Sequence, residues 1–270
     1  MASTMLTEQR DGALILTLSD PPTRNSLSPQ ASTDGLEALA RARDDDAVRC
    51  VLLRGDGDHF CGGGNLPRLL GVRSGAPAAQ HESMAALHGF VAALHALPKP
   101  VIAAVEGFAA GAGAALVLAC DLVVAAEDAR FVFSYGRVGL SPDAGSTWQL
   151  ARRVPRAIAL QMLWLPEPAV AAQWQAWGLV NEVVPHGQAF ECALAWADRL
   201  ARMAPNALAS AKRLLDGAGA VDLSTQLDAE RQHFVANLFH PNGGEGIAAF
   251  LDKRTPQFGP ADDDATPQLS

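Results

Sequence analysis

Three short segments carry the residue types from which chemistry could be built: HFCGGGNL at 59–66, EGFAAGAGAAL at 106–116 and VGLSPDAGSTW at 138–148. Each is a glycine-containing turn that follows an apolar run, and backbone N–H groups at such turns can hold developing negative charge. Three consecutive glycines, Gly62 to Gly64, cost chain entropy, so a loop containing them needs unusual dihedrals or a close approach by another group. The third segment sets an acid, Asp143, between Pro142 and a helix start. Two separated loops that each aim one N–H at a single oxygen, with one acid nearby, would form an oxyanion hole with a proton carrier. A dinucleotide site is a poorer match. GAGAAL at 111–116 supplies two glycines of a GxGxxG pattern, but its last position is Leu116, and no GxxxxGK[ST] occurs. Taken one at a time, the loops are equally consistent with glycines kept for close packing.

The elements that must position these loops alternate strand and helix. GALILTLS (12–19) and VRCVLLR (48–54) read as strands, and SPQASTDGLEALARA between them has a helical period with Ser28 as N-cap and Pro29 in the first turn. A β-β-α-β opening results. Val101–Val105 and Leu122–Ala126 are two further strands, separated by GFAAGAGAALVLAC, whose second half is helical. Such alternation predicts an α/β sheet with covered faces. Beyond Pro155 only LVNEVV (179–184) reads as a strand. Helices are predicted over 187–204, 206–215 and 222–238, the first ended by Pro205. The organisation expected is an α/β core over residues 1–200, a helical region over 201–258 and a mobile acidic tail over 259–270.

Composition sets the class. The chain has 270 residues, 49% of them hydrophobic and 19% charged, with 21 Lys+Arg against 29 Asp+Glu and a net charge of −8. That is ample for a large core. The acidic balance and the lack of a basic run argue against nucleic acid or an anionic membrane surface as partner. Cys50, Cys61, Cys120 and Cys192 form no CxxC pair, so they are expected to be reduced and mostly buried, with no metal site. The N-terminal MASTMLTEQRDG has no basic-then-apolar leader pattern, which makes cytoplasm the expected compartment. The most apolar stretch, 101–119, contains Glu106 and is rich in Ala and Gly, so it reads as a buried strand and helix, not a membrane span.

The segments PPTRNSLS (21–28), FCGGGNL, KPVIAAVEGFAAGAGAALVLACDLVVAAEDARF (99–131), VGLSPDAGSTWQLAR (138–152), AVAAQWQAWGLVNEVV (169–184) and EGIAAFLDKRTPQF (245–258) occur in one order along nearly the whole chain. In that order they resemble the crotonase superfamily, the enoyl-CoA hydratase/isomerase group. The resemblance implies an α/β fold with a crotonase-like ββα-repeat spiral core and a C-terminal helical trimerisation region. It places the first oxyanion N–H on Gly64 and the second on Ala112, both serving the thioester carbonyl of an acyl-CoA. CoA contacts are implied around Arg24, Asn25 and Leu27 and at Asn65 and Leu66, with Phe250 and Lys253 as additions. No cofactor is implied, since CoA enters with the substrate. A homotrimer or dimer of trimers is expected.

Departures from the family pattern bear on the reaction. The two glutamates with which hydratases of the family hold water match Ala115 and Tyr135 here. Neither can replace a carboxylate pair. Asp143 remains, at the position where the branch resembling ring 1,2-epoxyphenylacetyl-CoA isomerases and some 3-to-2 enoyl-CoA isomerases carries a proton-shuttling Asp. Isomerisation is therefore the favoured expectation; Tyr135 is equally consistent with lining the acyl pocket, where its hydroxyl would go to a ligand or to Asp143, and with simple packing. Three alternatives stay open: hydration by a non-standard route, an aryl-CoA dehalogenase with Asp143 as nucleophile and His88 or His95 activating water, and a non-catalytic acyl-CoA binder. Trp148, Trp164, Trp174 and Trp177 are expected in core or subunit-interface packing. GVRSGAPAAQ (71–80) is expected to be mobile.

Overall fold

The computed structural model describes residues 3–260. Its opening is two antiparallel strands, β1 (Thr4–Arg10) and β2 (Ala13–Ser19), then α1 (Pro29–Asp44) and β3 (Cys50–Gly55). The Asp11–Gly12 turn joins β1 and β2 with both residues at positive φ, a hairpin geometry that Gly and Asp tolerate. Helix α1 begins where the local chemistry predicts: the Ser28 hydroxyl accepts from Ala31 N at 3.1 Å, and Pro29 occupies the first turn. It ends in the acidic triplet, where the Asp45 side chain accepts from Ala47 N.

Next come α2 (Leu66–Val72), α3 (Pro77–Ala96), β4 (Val101–Val105), β5 (Phe108–Ala110), α4 (Ala112–Ala119), β6 (Leu122–Ala126) and β7 (Arg130–Val132). They are followed by α5 (Ser146–Arg153), α6 (Arg156–Trp164), β8 (Ala169–Val170), α7 (Ala171–Ala176), β9 (Glu182–Val184) and α8 (Ala189–Ala201). The main sheet runs β1-β2-β3-β4-β6-β9, parallel except for the first pair, and β5-β7-β8 form a small second sheet. The four central runs are apolar on both faces because both faces are covered. Val51 and Leu53 of β3 and Ala103 and Val105 of β4 point into the larger core with Phe60, Phe90 and Leu94. Their alternates Cys50, Leu52, Ile102 and Ala104 meet Ala189, Ala193 and Ala197, one stripe of α8 at a spacing of four.

The stretch 71–80 spans the end of α2, a short turn and the start of α3. Pro77 at the first helical position and the Ala-rich run behind it start a 20-residue helix. Strands β5, β7 and β8, of two or three residues each, carry no legible alternation. Pro205 does not simply stop a helix. It opens α9 (Pro205–Ala218), which is followed by α10 (Leu223–Phe239) and α11 (Pro241–Leu251). Of the acidic tail, residues 261–270 lie outside the described residues. Cys50, Cys61 and Cys120 are buried and Cys192 is half-buried, all as free thiols. Trp174 is fully buried against Phe131 at 3.9 Å, whereas Trp148 and Trp164 are exposed on the chain. No helix among the described residues is long and apolar enough to cross a membrane.

Candidate active site

The first glycine loop leaves β3 and is stitched to the second. Cys61 N donates to Phe108 O and Ala110 N to Cys61 O, so residue 61 pairs with Ala109 as an added strand of the small sheet. Contact this close excludes side chains. A Cβ at Gly63 would lie 2.4 Å from the Ala110 oxygen, and one at Gly113 would lie 2.4 Å from the Cys61 oxygen. Gly63 is within van der Waals reach of Ala112 N, which a Cβ there would approach to 3.5 Å. The pairing therefore sets Gly64 beside the first residue of α4. Gly111, at φ 53° and ψ −119°, turns the chain into that helix through a conformation open only to glycine. Neither Gly64 N nor Ala112 N has an acceptor among the described residues. Ala112 also stands at the positive end of a wholly buried helix.

Both residues line a cleft of about 1200 Å³ that Asp143 also faces. Asp143 sits in the turn between the 3₁₀ segment Ser134–Val138 and α5. Ala144 and Gly145 take left-handed φ of 50° and 74°, and Ser146 donates from both N and Oγ to the Asp143 carbonyl. This tight turn fixes where the carboxylate points. Its Oδ1 accepts the Tyr135 hydroxyl at 2.5 Å, and no other hydrogen-bond donor or ion-pair partner to the carboxylate occurs among the described residues. Burial, and then the charge of Asp143, push the Tyr135 phenol well above its ordinary value, so it stays a donor. The lining includes no other carboxylate. Ala115 is fully buried in α4.

The outer wall comes from α2 and α3. The Asn65 side chain caps α2 by accepting from Arg68 N and donates to Ser26 Oγ, while Leu66, Leu69, Met84 and Leu87 make the wall apolar. Arg68 Nε and Gln80 Oε1 are enclosed there without partners among the described residues, which leaves the wall some hydrogen-bonding capacity. Asn65 and Leu66 were expected at the site; what sequence reasoning missed is that α2 and the start of α3 build this wall, with Leu69, Met84 and Leu87 facing the cleft. The signal for α2 was present in Asn65 followed by Pro67, a helix cap with proline in the first turn.

The remaining candidates divide. Leu27 and Leu66 line the cleft. Asn25 does not offer its side chain: it is fully buried, accepting from Asp20 N and donating to Asp56 O and His59 O. The N–H groups of residues 24–27 are likewise all used within the chain. The Arg24 guanidinium lies over the Phe108 ring outside the cleft lining. Phe250 and Lys253 stand exposed at the end of α11 and do not reach the cleft of their own chain. Neither His88 nor His95 lines it. His88 is exposed, and His95 faces Asp216 and packs edge-on to Trp148.

Comparison with known proteins places this geometry. The family model described as enoyl-CoA hydratase/isomerase matches residues 8–261. The 1,2-epoxyphenylacetyl-CoA isomerase of Escherichia coli K12 is 37% identical over 259 residues, covering 96% of this chain and 99% of that one. The 2,3-dehydroadipyl-CoA hydratase of the same organism is 36% identical over 260 residues, covering 95% and 98%. A crystal structure of an enoyl-CoA hydratase from Polaromonas sp. JS666 superposes with a TM-score of 0.93 at 51% identity, covering 94% of this chain and 99% of the other. With a matching model over residues 8–261 and a fold shared over 94% of its length, the chain belongs to the enoyl-CoA hydratase/isomerase family of the crotonase superfamily.

Proposed function

We propose that this enzyme moves a carbon–carbon double bond within an acyl-CoA thioester, with Asp143 carrying the proton. The observation that supports this is a cleft with two unengaged N–H groups, on Gly64 and Ala112, and one carboxylate, Asp143. In a 3-enoyl-CoA the thioester oxygen accepts from both N–H groups while Asp143 removes a proton from carbon 2. The C–H electron pair passes into the thioester, forming a dienolate whose charge rests on that oxygen, and the two donors bind it more tightly than they bind the ground state. Asp143 returns the proton to carbon 4, and the double bond ends between carbons 2 and 3. Mass is unchanged and no cofactor is consumed. One carboxylate suffices because the proton taken is the proton given back.

Incubation with matched 2-enoyl-CoA and 3-enoyl-CoA substrates tests this reading, with product mass and double-bond position as readouts. Asp143→Asn is expected to lower turnover by at least about 100-fold, the scale of a lost general acid–base. An Asn variant of full activity would refute the assignment. A product heavier by one water would favour hydration, the activity in the name of the second Escherichia coli relative, with Asp143 then orienting the water. We infer also that the chain works as a homotrimer or dimer of trimers. In such an assembly Phe250 and Lys253 reach a neighbour's CoA.

A further inference from the structure

We propose that Tyr135 is the positioning residue for Asp143, a rigid strut between the oxyanion loop and the base that reserves one carboxylate oxygen for the substrate proton. The inference rests on Asp143 being the proton carrier. Three observations meet at this side chain. Its hydroxyl donates to Asp143 Oδ1 at 2.5 Å. Its ring stands about 3.9 Å from where a Gly111 Cβ would be, so it backs the turn that leads into Ala112 at the cleft wall. It also adjoins a run of near-parallel rings: Phe133 at 6.5 Å, Trp174 at 6.2 Å from Phe133, and Phe131 at 3.9 Å from Trp174. Tyr135 itself is 9% exposed, and Phe131, Phe133 and Trp174 are essentially inaccessible.

A side chain packed in this way has lost its freedom before the substrate arrives. The hydroxyl is therefore a fixed point, and the carboxylate it holds cannot swing about its Cβ–Cγ bond without giving up a charge-assisted hydrogen bond. Oδ1 is occupied and Oδ2 has no partner among the described residues. The proton leaving carbon 2 and the proton arriving at carbon 4 must then use the same oxygen, on the same face of a planar dienolate. The base and the oxyanion donor are tied to one another through a single residue. Distance between the charge acceptor and the proton carrier is thus set by the protein and not by the ligand, which is the condition for efficient proximity catalysis.

The test compares Tyr135→Phe, which keeps the ring and the stack, with Asp143→Asn and the double variant, using a 3-enoyl-CoA. Tyr135→Phe is expected to lower kcat on the order of 10- to 100-fold, the cost of a reacting group displaced by about 1 Å, with KM changed by less than about 3-fold. Because Tyr135 acts through Asp143, the double variant should isomerise no more slowly than Asp143→Asn alone. A further drop in the double variant would mean that Tyr135 acts on the substrate itself and would overturn the inference. So would an unchanged kcat in Tyr135→Phe beside an inactive Asp143→Asn, an outcome that leaves the Asp143 assignment intact. Full activity of Asp143→Asn, by contrast, would overturn that assignment first. An independent measurement needs no variant. Tyr135 is the chain's single tyrosine, so the tyrosine doublet in ultraviolet resonance Raman spectra of the wild-type enzyme reports this hydroxyl alone. It should show a strong donor, both free and with butyryl-CoA bound. A solvated or hydrogen-bond-accepting phenol in either state would overturn the inference even if Tyr135→Phe did not fold.

Discussion

Single glycines decide whether the two donor loops can meet. Gly63 combines a φ of 83° with a neighbour, the Ala110 carbonyl, that would lie 2.4 Å from any Cβ. Gly57 has a similar φ of 69° but faces open space. Each alanine variant meets the dihedral penalty, about 1–3 kcal/mol; only Gly63→Ala must also push the first loop away from β5. Both variants should therefore melt earlier than the wild type, while only Gly63→Ala loses most of its turnover. Equal activity in the two, measured beside their thermal melts, would show that the loop contact does not govern the site.

The C-terminal helices are held to one another by polar groups as much as by apolar ones. His233 Nδ1 pairs with Ser210 Oγ at 3.0 Å. The Asn237 amide donates to the same hydroxyl, and Asn206, Asn237 and Asn242 link α9, α10 and α11 in a chain. His233 is buried, its Nε2 has no partner among the described residues, and burial together with the nearby charge of Arg213 lowers its proton affinity. The unfolded chain takes up that proton near the ordinary histidine value of about 6.5, whereas the folded chain takes it up only at lower pH. Below about pH 6.5 protons thus favour the unfolded state, and the contribution of this group to stability, fully present above that value, is lost as pH falls. Urea unfolding at pH 7.5 and pH 5.5 should show the loss, and His233→Gln should reduce it. A wild-type midpoint equal at both pH values would contradict this sign.

At the scale of the molecule, α10 and α11 leave several large apolar side chains exposed. Phe234, Phe239, Phe250 and Leu251 are all largely exposed, as is Trp164 of α6. Large apolar side chains left exposed in this number suit an interaction surface. The inferred trimer or dimer of trimers gives it an occupant, a second copy of the chain. Light scattering coupled to size exclusion should return three or six times the 28.3 kDa of one chain, and Phe234→Asp with Phe239→Asp should shift the mass toward one. A monomeric wild type would refute the assembly and, with it, the reach of Phe250 and Lys253 into a neighbouring site.

Local physics made much of this protein readable. Ser28–Pro29 spelled a helix start, Val101–Val105 a buried strand, and the periodicity over 187–204 a helix, because each depends on neighbours within a few residues; that Ala189, Ala193 and Ala197 are its most buried stripe came only with the fold. The glycine loops and Asp143 were likewise visible as types. Their meeting was not. Residues 64, 112 and 143 converge through a left-handed turn at Ala144 and a strand bridge between Cys61 and Ala109, residues far apart in the chain that no local pattern pairs. Nor could spacing show that Asn25 would spend its amide inside the chain, or that Tyr135 would find Asp143 rather than open cleft. Which side chains are free to act is decided by what the rest of the chain has already bonded, and that is settled only when the fold closes.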